Sequence, residues 1–254
     1  MTEAAQPLRV LGVRVDDVTM QEACDELAAL MAQGGVHQVA TVNPEFIMTA
    51  QRDAEFSALL EHTVLNVPDG VGVLWAARRM GRPLRERVPG VDMVRQLCAR
   101  GSQYKWRTFF LGARPGVAER AAANLALKYQ GLVVAGTYAG SPRPEDDQEA
   151  LARVRKARPN LLFVAYGAPA QDKWLARNLP RLQLAPPPEG SPSGLVGMGV
   201  GGAFDFLTGV QKRAPNWMQH AGLEWLYRLG REPWRWRRQV ALIRFTLAVM
   251  LQST

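Results

Sequence analysis

Cysteine, histidine and long apolar runs are all scarce in this 254-residue chain. Its two cysteines, Cys24 and Cys98, lie far apart and match no ligand spacing. They argue against a disulfide framework and a structural zinc site, and for a reducing compartment. The three histidines, His37, His62 and His220, lack metal-ligand spacing, and no D-x-D occurs. No metal site is expected, which argues against the usual metal-dependent sugar transfer. No glycine loop ends in Lys-Ser or Lys-Thr and no nucleophile elbow is present, so neither a Walker A motif nor a serine hydrolase is supported. The stretch "MTEAAQPLRV" lacks a basic region followed by an apolar run, and the chain reads as cytosolic or cytosol-facing. No internal repeat is visible.

What remains is an ordinary globular composition, 47% hydrophobic and 21% charged. The net charge of +8 is unevenly placed: from Lys212 onward there are eight Lys or Arg against two acids, Glu224 and Glu232. Four of the seven tryptophans, Trp217, Trp225, Trp234 and Trp236, share that segment. The shift divides the chain into a domain over 1–210 and a basic, Trp-rich helical appendage over 211–254.

Short apolar runs alternate with helical patterns, which predicts an α/β layer fold with a largely parallel sheet. Strands are expected at 8–15, 37–42, 63–67, 106–112, 132–138, 160–167 and 194–200. Helices are expected at 19–33, 45–60, 70–80, 90–100, 115–129, 145–157, 169–178, 215–229 and 233–251. In open α/β sheets ligands gather at the carboxyl ends of the strands, so the polar residues that follow each strand are the candidates.

"TVNPEF" places Thr41, Asn43 and Glu45 at one strand tip; Asn43 suits a helix N-cap and Pro44 the first helical position. In "VPDGVGVLWAARRMG", Asp69 reads either as an N-cap or as a general base at a strand tip. "FFLGARPGVAERAA" offers Gly112, Arg114 and Gly116 to a phosphate, or is a plain strand-to-helix turn. "GMGVGG" meets a dinucleotide-binding spacing through Gly197, Gly199 and Gly202, but no acid follows at the right distance; close backbone packing, or a floor under a ligand, is the better reading. "YGAPAQDKWLARN" opens a helix from which Gln171 can present its amide. Arg82, Arg85 and Arg87 form a solvated basic loop, or one of them pairs with a diphosphate. In the tail, Trp217, Ala221, Trp225 and Leu229 form one stripe, and Trp236, Val240, Ile243, Leu247 and Met250 another. Three readings stay open there: the interface of an anionic membrane, a helical pair packed on the domain, and nucleic-acid binding.

Seven segments in order, "TVNPEF", "VPDGVGVLWAARRMG", "RVPGVDM", "FLGARPGVAERAA", "GAPAQDKWL", "GVGGAFDFLTGVQKRAPNWMQHAGLEWLYRL" and "EPWRWRR", resemble the WecG/TagA/CpsF family of bacterial glycosyltransferases, glycosyltransferase family twenty-six. The resemblance implies a Rossmann-like fold with helices on both faces of the sheet and a C-terminal appendage that helps close the site. It implies an inverting, metal-independent enzyme with no cofactor, peripheral on the cytoplasmic face of the membrane. Such an enzyme moves N-acetylmannosamine, its uronic acid or glucose from a UDP-sugar donor to a polyprenyl-diphosphate-linked acceptor. By the resemblance Asp69 is the catalytic base, and Thr41, Asn43, Arg87 and Gln171 contact substrate. Arg228, Arg231, Arg235 and Arg238 then meet the lipid diphosphate or the leaving UDP. Asp172 stands where the family often has Glu, and "PPPEGSPSG" resembles a local insertion. An anionic membrane surface is an expected partner, a homo-oligomer is left open, and no nucleic acid is expected. The alternatives are an NAD(P)-dependent oxidoreductase resting on "GMGVGG" and a non-catalytic basic adaptor for membrane or nucleic acid.

Overall fold

The computed structural model describes residues 7–182, 192–209, 214–215, 218, 227, 230 and 236–252, with side chains from Val240 in the last segment. The chain opens with a hairpin, β1 (Leu8–Val10) and β2 (Val13–Val15), antiparallel around Leu11 and Gly12. The single strand expected over 8–15 is therefore folded in half. Both turn residues take positive φ, 47° and 82°, which matches the twist of a two-residue hairpin and suits glycine at the second position. Leu8, Val10, Val13 and Val15 all face the core.

The main sheet holds β3 (Val36–Val42), β4 (Leu65–Pro68), β5 (Arg107–Gly112), β6 (Val133–Tyr138), β7 (Leu161–Ala165) and β8 (Leu195–Gly199). Their order is β4-β3-β8-β7-β5-β6, and every pairing is parallel. Helices α1 (Met20–Gln33), α2 (Pro44–Ala50), α3 (Ala54–His62), α4 (Val71–Arg79) and α5 (Gly90–Tyr104) precede the second half of the sheet. Then come α6 (Val117–Lys128), α7 (Asp147–Ala157), α8 (Ala170–Asn178), α9 (Ala203–Leu207) and a last helix, α10 (Trp236–Gln252).

Alternation along the strands sends side chains to two cores. Val39, Phe110, Phe163 and Met198 join α1, α5, α6 and α9 on one face. Ala40 and Val42 join α2, α3, α4 and the hairpin on the other, where Leu111 and Val164 meet α7 and α8. The expected Rossmann-like architecture, a parallel sheet with helices on both faces, is what the chain adopts. The helix expected over 45–60 is two helices, because the Asp53 carboxylate accepts the Phe56 N–H at 3.0 Å and starts α3 afresh. The short helix α9 was not expected at all.

Residues 215–229 fall almost wholly outside the described residues, as do Arg228, Arg231 and Arg235 and the side chain of Arg238. The terminal helix α10 packs against α2 and α4. It buries Phe245 and Val249 in the same core as the hairpin. Ile243, Leu247, Met250 and Leu251 stay exposed, at 61%, 55%, 46% and 77%. The stripe read through Ile243, Leu247 and Met250 thus faces outward. Among the described residues, no helix is long and apolar enough to cross a membrane.

Candidate functional site

A cleft of about 720 Å³ opens at the carboxyl ends of the strands, where the order of connections reverses. Four of the residues expected there, Thr41, Asn43, Asp69 and Gln171, line it together. They come from β3, the start of α2, the end of β4 and the first turn of α8, spread over more than a hundred residues of sequence.

Each position has a local cause. Asn43 caps α2: its Oδ1 accepts the Phe46 N–H at 3.0 Å, with Pro44 at the first helical position as expected. Thr41 is nearly buried on β3, its methyl packed against the start of α5 at Gly90. Asp69 is not the N-cap that spacing alone favoured. Gly70 takes that place at φ 116°, with no side-chain cap. The Asp69 backbone N–H donates to the Val42 carbonyl at 2.7 Å, joining the tips of β4 and β3. Its Oδ2 instead accepts the N–H of Gly90, the first residue of α5, at 3.3 Å. A helix start carries partial positive charge, so an anion there is favoured.

Gln171 is fully buried except where it meets the cleft, and its Oε1 accepts the Gly201 N–H at 2.8 Å. That bond ties α8 to the turn between β8 and α9. Gly197 and Gly199 of "GMGVGG" are explained by the same packing, while Gly201 and Gly202 line the cleft. A methyl on Gly197 would stand 2.7 Å from a Leu175 carbon, and one on Gly199 would stand 2.7 Å from both Gln171 Nε2 and Asp172 Oδ1. Helix α8 covers β8 directly at these two glycines.

Gly112 and Gly116 are not among the walls of the cleft. Gly112 sits at φ 100° where β5 passes β7 so closely that a Cβ would meet the Ala165 backbone at 2.8 Å. Gly116 caps α6 on the exposed side. Between them Ala113 and Arg114 do reach the cleft. Arg87 is half-buried in the segment before α5 and is not a wall of the cleft. The neighbouring Arg85 is committed to structure, paired with Asp17 and Glu22. The Arg85 hydrogen bond, helped by the Thr19 N–H, holds the Glu22 carboxyl down at about 2.

Glu45, Ser141, Tyr166 and Asp205 also line the cleft. All follow strand tips, the one signal that could have flagged Ser141 and Asp205 in the sequence. Among the described residues, the charged walls are three acids, Glu45, Asp69 and Asp205, and one arginine, Arg114, which stands 3.5 Å from Asp205. Among the described residues, no group of three His, Cys, Asp or Glu is disposed to hold a metal ion.

With this geometry in place, comparison with known proteins decides the family. The family model described as "Glycosyl transferase WecG/TagA/CpsF family" matches residues 8–254. The chain belongs to this family. It is a glycosyltransferase, and its relatives include the N-acetylglucosaminyldiphosphoundecaprenol N-acetyl-beta-D-mannosaminyltransferase of Bacillus subtilis (strain 168). That protein is 31% identical over 215 residues, covering 85% of this chain and 79% of the relative. The enzyme of the same name from Staphylococcus aureus (strain NCTC 8325 / PS 47) is 27% identical over 221 residues, covering 86% and 82%. For this WecG/TagA/CpsF transferase, the strand-tip cleft is the candidate active site.

Proposed function

We propose that this transferase moves an N-acetylmannosamine-type hexose from a UDP-sugar to a polyprenyl-diphosphate-linked saccharide, with inversion and without a metal. The family's alternatives, the corresponding uronic acid and glucose, remain the competing donors. The observation that carries the reading is the convergence of Asp69, Thr41, Asn43 and Gln171 on one cleft. The relatives' names supply the acceptor class.

In this reading Asp69 takes the proton of the acceptor hydroxyl as its oxygen bonds to the anomeric carbon. Attack comes from the face opposite UDP; the bond from carbon to the β-phosphate oxygen breaks, and its electron pair leaves with UDP. The diphosphate charge has to be met by cations and N–H groups. The cleft's described walls are poor in cations, three acids to one arginine. The positive surplus of the chain lies after residue 211. Arg228, Arg231, Arg235 and Arg238 are therefore the proposed partners of the leaving UDP or the lipid diphosphate. The exposed apolar face of α10, beside this basic segment, suits the surface of an anionic membrane. The enzyme would then work peripherally at the cytoplasmic face.

The test is UDP release on incubation with a panel of UDP-sugars and a short-chain prenyl-diphosphate-linked N-acetylglucosamine. Release with UDP-N-acetylmannosamine, dependent on acceptor and undiminished by chelator, is expected. No acceptor-dependent release with any UDP-sugar would overturn the reading.

A further inference from the structure

A buried acid stands directly behind the cleft. Asp172 follows Gln171 in the first turn of α8 and is wholly excluded from solvent. Neither carboxyl oxygen completes a well-aligned hydrogen bond among the described residues; the donors that bear on it are the Gln171 amide and the residue's own backbone N–H. Burial on these terms is costly. An apolar residue would serve packing better, so the carboxyl calls for a reason.

Its neighbours supply one. Gln171 Nε2 and Asp172 Oδ1 each lie 2.7 Å from the point where a Cβ on Gly199 would stand, so the two side chains share the space over one α-carbon of β8. The backbone beneath them is clamped: Asp172 N–H donates to the Pro169 carbonyl at 3.1 Å, and Gln38 Nε2 donates to the Asp172 carbonyl at 3.0 Å. Lys173, the next residue, is turned toward α3, where Asp53 and Glu55 hold its ammonium. The Gln171 amide has one accepting and one donating end. With Oε1 on the Gly201 N–H, the donating end is left on the side of the Asp172 acceptors. A flipped amide would set donor against donor at Gly201 and acceptor against acceptor at Asp172. Burial pushes the Asp172 carboxyl up to about 7, opposed in part by the Gln171 amide and the residue's own backbone N–H. In either protonation state one oxygen remains an acceptor.

We propose that Asp172 is a positioning residue for Gln171, its carboxyl fixing the amide so that Oε1 holds Gly201 and the β8–α9 turn in place at the cleft. The kinetic arm of its test rests on the transferase reading above; the spectroscopic arm does not. The full chain is labelled with nitrogen-15, and the Gln171 side-chain amide signals are assigned by their loss in Gln171→Ala. Asp172→Leu and Asp172→Ala, two routes to removing the carboxyl should one fail to fold, are expected to move those signals and speed their hydrogen exchange tenfold or more. Signals left in place would overturn the proposal.

In the UDP-release assay, either replacement is expected to lower kcat by about tenfold or more, as misplaced groups do. Asp172→Asn, which keeps an accepting oxygen, is expected to retain most of the rate. Combined with Gln171→Ala, the loss of the carboxyl should cost nothing further, because its effect passes through that amide. Additive losses would mean that Asp172 acts elsewhere and would refute the inference. Were the unaltered chain to release no UDP with any donor, the transferase reading would fall. The amide signals would still decide the positioning of Gln171.

Discussion

Replacing Asp69 by asparagine separates chemistry from folding in the proposed reaction. The structure allows both effects to be bounded. The carboxylate accepts the Gly90 N–H at 3.3 Å, and an asparagine oxygen can accept the same bond. What the fold loses is an anion beside the start of α5, worth about 0.3–1 kcal/mol at a partly exposed helix end. In a domain of this size that lowers the melting temperature by roughly 1–4 °C. The reaction loses a proton acceptor, which for a general base costs about 10²–10⁴ in kcat, or roughly 2.7–5.5 kcal/mol of barrier. The two ranges do not overlap, so a melt and a UDP-release assay on one preparation distinguish them. The residue after position 69 is Gly70, and an asparagine before glycine is prone to deamidation that restores the acid. Asp69→Ala is therefore assayed in parallel, and intact mass is checked after each run. Acceptor binding is expected to persist in both variants. Either variant turning over at more than a tenth of the unaltered rate, with its mass intact, would refute Asp69 as the base.

Three further outcomes follow from packing elsewhere in the fold. Gly199→Ala puts a methyl 2.7 Å from both Gln171 Nε2 and Asp172 Oδ1; chemical denaturation should register a loss of about 1–3 kcal/mol, with kcat falling alongside. Phe245→Ala empties a site that is 1% exposed under α10, at a cost of about 3–5 kcal/mol, and limited proteolysis should then clip α10 before the core. Asp172 has a folded value of about 7, above its ordinary 3.8, so the unfolded chain gives up that proton first. The cost of the buried acid is absent below the ordinary value, grows as pH rises, and is complete above about 7. The stability of Asp172→Asn relative to the unaltered chain should therefore rise by on the order of a few kcal/mol between pH 4 and pH 8, and urea titrations giving a pH-independent difference would contradict it.

The sheet and the position of the cleft were readable because they depend on patterns that sequence displays: buried strands, helical periods and polar residues after strand tips. Thr41, Asn43, Asp69 and Gln171 were found that way and through motif resemblance. Features set by contacts across the chain were not readable. Asp69 looks like a cap in sequence because Gly70 and a helix follow it; its actual partner, Gly90, is twenty-one residues further on. The turn at Leu11 and Gly12 sits inside an apolar run that reads as one strand, and Asp53 interrupts a helical pattern whose apolar period continues past it. In α10, Phe245 and Val249 on one side and Ile243, Leu247 and Met250 on the other are all apolar, so periodicity alone could not tell which face the core would take. The arginines after α9 were legible as charge, while their partners were not.

The seat of α10 gives the tail a thermodynamic connection to the cleft. Phe245 packs where Gly72 and Pro44 meet, and Pro44 opens the helix that Asn43 caps. A partner that bound the outward face of α10 in its docked position would also favour the docked arrangement of α2, whose first turn is a wall of the site. By reciprocity, if a partner binds that outward face, a substrate that bears on the wall would tighten its hold by the same factor. Surface attachment and substrate occupancy would then be two readings of one equilibrium, so measuring either as a function of the other gives the coupling between them.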